Sequence, residues 1–465
     1  MEMPFSSPLA VQPATVAAMK ISWFFYGLGL LLLVIVGLIS SVHMVARLLV
    51  PWPEAVPGVN TGLTRTYLAP GELTDTNAFW YFAAMTNKVA WSGEERERFE
   101  REGMTGGPYP GLDALVEQHA GLFALFRTAS TQPVAMAEGC FTLECMFPYV
   151  GPMLNLARLA VYRAERAAAL GDYGEALSTW TAVARNGINV QRAPGLLPHL
   201  VGNALLALVH ASVVRADRTA TLPPETLYAL ALLLEEIEPL RQPFADTMRA
   251  ELNMMLNTTE QYANPLDLYV LTGAHPDLWQ GLGLLARPVA FLLGSARATT
   301  HDHLTAVSSH LLAAMDDRVS PADLDRVIET VSGAATRYRG LAYANDPVAR
   351  AAFQLLMPSY GTAYKRDLSI GLALEALRAH THVLWTYRTT GTIPATLDQA
   401  SATIGRPPVR DSANQRSFIY RPDENGWLLY SIGPDGIDQG GLIEPTAGYL
   451  DTHDIGIRFP SLPSP

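Results

Sequence analysis

The chain has 465 residues, 49% of them hydrophobic and only 17% charged, which excludes a lone small fold and a disordered, charge-rich chain and leaves room for two or three domains. Its 33 basic residues are outweighed by 44 acidic ones, and the net charge of -11 repels a phosphate backbone, so nucleic acid is not an expected partner. Lys20, Lys88 and Lys365 are the only lysines, so nothing in the sequence singles out Schiff-base chemistry.

Residues 1–20 form a leader. From Ile21 to Ala46 there is no Asp, Glu, Lys or Arg, and the run is almost wholly apolar. As a helix these residues reach about 39 Å, enough for one tilted crossing of a hydrocarbon core of roughly 30 Å. Trp23, Phe24, Phe25 and Tyr26 gather at one end and Trp52 lies past the other, where aromatic rings favour the headgroup layer. The run is longer than the apolar part of a cleaved signal peptide and no small-residue cleavage site follows, so an uncleaved transmembrane helix over 21–46 is expected to contact membrane lipid. Lys20 and Arg47 balance each other, so charge does not orient the span. The bulk of the chain after Ala46 is expected outside the cytoplasm, making this a bacterial inner-membrane, single-pass protein.

Residues 51–111 are rich in Pro and Gly at both ends and are expected to be linker and irregular structure, with helix at Asn77 to Val89 and a charged, solvated helix at 94–102. Residues 112–360 are dominated by Ala, Leu and Arg at helical spacing and form an expected α-helical domain. Within it, the two amphipathic stretches of 156–189 are separated by Gly171-Asp172, and Tyr173, Ala176 and Trp180 follow at spacings of three and four. A helical hairpin is the expectation. The stretch resembles a single tetratricopeptide-like repeat, with Val183 where such repeats carry Ala and no second copy at the repeat period. LPPETLYALALLLEEIEPL at 222–240 begins with the Pro and Glu of a helix start. The apolar run 278–294 is interrupted by Arg287-Pro288 and reads as a buried, broken helix pair.

Residues 365–465 change character. A helix over 371–391 should stop at Gly391, TIPATLDQA should be a short helix or turn, and RSFIYRP (416–422) and GWLLYSIG (426–433) should pair as a hairpin across PDENG. The whole is therefore mainly α, with a small C-terminal α+β module carrying an antiparallel sheet.

Gly391, Pro394 and Leu397 form G-x-x-P-x-x-L; Ser431, Gly433, Asp435 and Gly436 form S-x-G-x-D-G; then come Gly440-Gly441 and Asp454-Ile455. In this order the tail resembles the globular part of type II secretion major pseudopilins, and the chain as a whole resembles uncharacterised bacterial membrane-anchored proteins ending in the same tail. The resemblance implies a loop that holds Ca²⁺. The residues agree in kind: Asp435, Asp438 and Asp454 offer hard oxygens, and Ca²⁺ takes six to eight. The same Pro-Asp-Gly also reads as a plain turn, and Gln439 adds no charge. The text Gly139-Cys140-Phe141-Thr142-Leu143-Glu144 imitates the pseudopilin cleavage motif, but it is internal and followed by Pro148, Pro152 and charges, so a filament subunit is not expected.

Cys140 and Cys145, the only cysteines, read either as a disulfide or as two buried thiols. His301, His303 and His310 read as helix-surface residues before they read as metal ligands. The chain contains no H-E-x-x-H, G-x-S-x-G or G-x-x-x-x-G-K-[ST]. The expectation is a membrane-anchored, non-enzymatic interaction or scaffold protein with protein partners, an accessory subunit of a larger membrane assembly. The runner-up is a membrane-tethered hydrolase whose site lies in the helical domain, distinguishable by a convergence of acid, base and nucleophile.

Overall fold

The structure, a computed structural model, describes residues 52–86, 110–142, 147–261, 297–337, 347–413, 416–441 and 454–460, with isolated positions between 34 and 48 and at 88, 94, 95, 97 and 145. Among them are twelve α-helices and one three-stranded sheet, so the chain is mainly helical. The helices are α1 Ala78–Met85, α2 Pro110–Gln118, α3 Ala120–Ser130, α4 Val150–Ala169, α5 Tyr173–Gln191, α6 Leu196–Ala220, α7 Pro224–Ile237, α8 Phe244–Gln261, α9 Arg297–Asp316, α10 Pro321–Arg337, α11 Pro347–Thr390 and α12 Leu397–Ile404. A 3-10 turn, Glu238–Leu240, follows α7.

The chain divides into two compact units. In the unit made of Met1–Glu54, Tyr262–Ala306 and Thr330–Leu355, the Trp52 ring stacks on His303 with centroids 4.6 Å apart. Within the apolar run 21–46, the described residues Val34, Leu38, Val42, Met44 and Val45 are helical and exposed. The expected helix pair at 278–294 lies outside the described residues, as does most of 94–102.

The second unit comprises Ala55–Gln261, Val307–Glu329 and Leu356–Pro465. Its centre is the hairpin of α4 and α5 with α6 packed against both. Gly171 takes a positive φ of 80° after α4, and the Asp172 carboxylate accepts the Glu175 amide at 3.0 Å, capping α5. Ala176, Trp180 and Val183 are fully buried, so Val183 fills the hairpin core. The Trp180 indole N–H donates to Ser212 Oγ on α6 at 2.9 Å, satisfying the polar end of a ring that would be costly to bury unpaired. Helices α5 and α6 approach closely at Gly187 and Gly202, where a Cβ on Gly202 would sit 2.5 Å from the Gly187 carbonyl oxygen. α6 is, among the described residues, the one helix long and apolar enough to cross a membrane. His199, Asn203, His210, Ser212 and Asp217 are buried along it in protein, which makes it a core helix.

The strands are β1 Ile419–Pro422, β2 Trp427–Ser431 and β3 Ile455–Phe459, all antiparallel with β2 in the middle. The hairpin pairs Pro422 with Trp427. Neither Asn425 nor Gly426 has a positive φ; instead Asp423 accepts the Asn425 amide at 2.8 Å and donates its own amide to Gly426 O. Gly426 is needed for another reason: a Cβ there would meet the Phe459 carbonyl of β3.

The expected helix at 371–391 is the end of the 44-residue α11, which runs through Pro358 and Gly361 and stops at Gly391, φ 73°. TIPATLDQA forms α12, entered by a near capping box: Thr396 Oγ1 accepts the Gln399 amide at 3.1 Å, and the Gln399 side chain accepts the Ala395 amide at 2.8 Å. One continuous core joins helices and sheet, from Phe82, Trp180 and Leu205 to Leu377, Trp427 and Ile457.

Candidate functional site

The densest polar cluster lies inside the helices. His199 and Asn203 sit one turn apart on α6, Gln191 ends α5, Arg241 and Gln242 follow the 3-10 turn, Thr247 is in the first turns of α8, and Asp367 is on α11. Asp367 Oδ1 accepts from His199 Nε2 at 2.8 Å, Asn203 Nδ2 at 3.0 Å and Arg241 Nη2 at 2.9 Å. Asn203 Oδ1 accepts from Gln191 Nε2 at 2.7 Å, and Gln191 Oε1 accepts the Gln242 amide at 3.2 Å. Gln242 Nε2 donates to Thr247 Oγ1 at 3.2 Å, and Thr247 Oγ1 lies 2.9 Å from His199 Nδ1.

The contacts close a six-residue ring with a direction. Thr247 Oγ1 accepts from Gln242 and meets His199 Nδ1 on its other side, and His199 presents Nε2–H to Asp367. Gln242 is the source on both arms and Asp367 the sink. Burial alone would push the Asp367 carboxyl up. The Arg241 guanidinium, His199 and the hydrogen bonds from His199 and Asn203 override it and hold the group well below the usual carboxylate range. Arg241 also donates to the Asp367 carbonyl at 2.9 Å, and Gly371, one turn along α11, leaves the space its guanidinium occupies.

Hydroxyl, imidazole and carboxylate in series are the parts of a nucleophilic triad. Here His199 and Thr247 have no exposed surface, and the Thr247 oxygen is engaged on both sides. The arrangement therefore ties α5, α6, α8 and α11 into one register. Nothing in local sequence announces it, because His199 and Asp367 are 168 positions apart; the one available signal was polar His199 and Asn203 in the apolar first half of α6.

A second set of buried histidines joins α11 to the tail. His380 Nδ1 accepts the Trp427 indole N–H at 3.2 Å, and His382 Nδ1 lies 3.0 Å from Ser401 Oγ of α12. Burial, with nearby arginines, lowers His210 to about 4 and His382 to about 4; burial, His210 and two arginines lower His380 to about 3. Tyr420 of β1 donates to Pro394 O at 2.9 Å, fixing the G-x-x-P-x-x-L segment to the sheet, and Leu397 is buried.

Asp435, Asp438 and Asp454 occupy one loop region between β2 and β3. Asp435 accepts the Ile437 amide at 3.0 Å and Gln439 Nε2 at 2.9 Å; Asp438 Oδ1 accepts from Tyr430 Oη at 3.1 Å and the Gly440 amide at 2.7 Å. Asp454 is buried and accepts the Gln439 and Gly441 amides, one on each oxygen, at 3.3 and 2.6 Å. Gln439 Oε1 is buried in the same loop and makes no hydrogen bond among the described residues. Oxygen donors of this kind suit Ca²⁺. Among the described residues, however, no three His, Cys, Asp or Glu side chains are placed to hold a metal, the α9 histidines included.

Cys140 and Cys145 form a disulfide with Cα atoms 5.7 Å apart. The segment ahead of it is pinned by reciprocal bonds: Gly139 N donates to Leu68 O at 2.8 Å and Leu68 N to Ala137 O at 3.0 Å. No family model, curated protein or solved structure matches the chain.

Proposed function

We propose that this chain is a non-enzymatic scaffold or interaction protein, held in a bacterial cytoplasmic membrane by residues 21–46 with the bulk outside the cytoplasm, and that it serves as an accessory subunit of a larger membrane assembly. The observation that carries the reading is the charge-free run from Ile21 to Ala46. Apart from Ser41, its described side chains are apolar, helical and exposed, a surface that water penalises by about 25 cal/mol per Å² and lipid does not. The Cys140–Cys145 disulfide supports an oxidising compartment. Helical hairpins offer binding surfaces for peptides without catalytic groups, and the closed ring around Asp367 favours a rigid body over a working triad.

Protease added outside spheroplasts should digest everything after Trp52 in wild-type cells; protection of the body until lysis would defeat the orientation. The hydrolase alternative draws on Thr247, His199 and Asp367 and requires covalent labelling of Thr247 by an organophosphonate probe.

A second reading concerns the tail loop, where Gln439 Oε1, buried and without a hydrogen bond among the described residues, lies in the same loop as Asp435, Asp438 and Asp454 and favours Ca²⁺. These residues would hold the ion, and its role would be to clamp the loop between β2 and β3. Added Ca²⁺ should raise the melting temperature of the wild-type chain, and a chelator should reverse it. Equal insensitivity of wild type, Asp435→Ala and Asp438→Ala would dismiss the reading.

A further inference from the structure

We propose that the Cys140–Cys145 disulfide is a directional exchange site for a dithiol carrier: the carrier's thiolate attacks Cys140 Sγ, and Cys145 leaves as a thiolate received by the Thr142 backbone N–H. The inference goes beyond the scaffold reading and depends on neither the membrane anchor nor the tail.

The two sulfurs are held in different ways. Thr142 N donates to Cys145 Sγ at 3.2 Å, and Thr142 Oγ1 lies 3.9 Å from the same sulfur. Cys145 N in turn donates to Thr142 O at 3.0 Å, a backbone contact that does not involve the sulfur, so the donor stays beside Cys145 once its bond to Cys140 is cut. Cys140 is fixed from the other side. It follows Gly139, whose amide donates to Leu68 O, and the Phe141 ring beyond it packs edge-on against Tyr67 with centroids 5.1 Å apart. A Cβ on Gly139 would sit 2.9 Å from the Phe141 ring and 3.2 Å from Tyr67 Cβ, so the stretch 139–141 lies close against 67–68. Both cysteines are half-buried, which leaves the pair within reach of a partner at the surface.

The asymmetry sets the order of events. Exchange prefers the route whose leaving sulfur departs most easily as a thiolate. A hydrogen bond to an ionised acceptor is roughly twice as strong as one to a neutral acceptor, so the Thr142 N–H gains strength as Cys145 takes on charge. The carrier's first thiolate bonds to Cys140 Sγ while the Cys140–Cys145 bond breaks, and its electron pair passes to Cys145 Sγ. The carrier's second thiol then gives up its proton and attacks the carrier's own bonded sulfur, and Cys140 leaves as a thiolate. Both cysteines end by taking up protons. The chain's disulfide is thereby reduced by two electrons, and the carrier's dithiol is oxidised to a disulfide. Run backwards, the same steps reoxidise the pair.

The test uses glutathione as the probe on the oxidised full-length chain in mild detergent. Early time points are trapped with N-ethylmaleimide, and fragment ions of the peptide carrying both cysteines place the glutathione. Cys140 should carry the adduct in roughly tenfold excess over Cys145. Thr142→Val keeps the N–H and loses the hydroxyl, and should keep that excess. Thr142→Pro loses the N–H and should bring the two adducts to within about twofold of each other. The wild-type and Thr142→Val results stand whether or not Thr142→Pro folds. An even split or a Cys145 excess in the wild type would overturn the proposal, as would an adduct that forms only after urea unfolds the chain. So would an even split in Thr142→Val, or an undiminished excess in folded Thr142→Pro.

Discussion

Replacing Asp367 by Asn changes one atom of the buried ring and removes one charge. The Asn carbonyl still accepts from His199 and Asn203, so the two neutral donors keep their partner. Arg241 does not. Its side chain is only 17% exposed, and Asp367 is the acid it meets at 2.9 Å. Removing one member of a buried ion pair leaves the other charge uncompensated, a loss of about 3–5 kcal/mol. Against a typical total of about 5–15 kcal/mol, that is a large fraction. The assay is urea unfolding of the full chain in detergent, followed by tryptophan fluorescence. Asp398→Asn is the control, because Asp398 is 61% exposed and 3.7 Å from Arg410, a contact worth less than about 1 kcal/mol. Adding Arg241→Met to Asp367→Asn should recover part of the loss, since the stranded charge is then gone. The reasoning is refuted if Asp367→Asn is as mild as the control, or if the second substitution restores nothing.

Gly202→Ala drives a methyl group onto the Gly187 carbonyl and the Gln191 side chain of the ring, and should destabilise by about 1–3 kcal/mol in the same urea assay. His210, His380 and His382 are buried with pKa values pushed to about 4, 3 and 4, below an unfolded value near 6.5. The unfolded chain therefore binds more protons as pH falls below 6.5, and stability should be flat above that pH and drop toward pH 4, by up to about 1.4 kcal/mol per unit for each histidine. Glu375 works in the opposite sense between 4.5 and 7 and offsets about one of the three. Equal urea midpoints at pH 7.5 and 5 would contradict this. Cys140 and Cys145 should take up maleimide only after reduction, and the double serine variant should lose about 2 kcal/mol, the entropy of closing so short a loop.

Where a local rule decides the structure, the sequence was readable. Gly171-Asp172 marked the hairpin turn because only glycine takes that φ cheaply and Asp caps the next helix. TIPATLDQA read equally as a short helix or a turn, and the caps at Thr396 and Gln399 decide for α12. The Asn425-Gly426 signal located the hairpin but not its chemistry, since Asp423 organises the turn and Gly426 answers to β3. β3 itself was not foreseen, although Ile455, Ile457 and Phe459 alternate as a strand should. Nor was the length of α11, which runs unbroken through Pro358 and Gly361. The aspartates of the tail loop were legible as residues, but their partners, mostly backbone amides, were not. The ring around Asp367 was invisible because it is assembled from segments between 191 and 367, and no window of sequence contains both ends.

The anchor is tested most directly by fractionating vesicles that contain the full-length chain and washing them with alkaline carbonate. The chain should stay in the membrane pellet, and a chain beginning after Ala46 should be found in the supernatant. Release of the intact full-length chain by the wash would contradict the account.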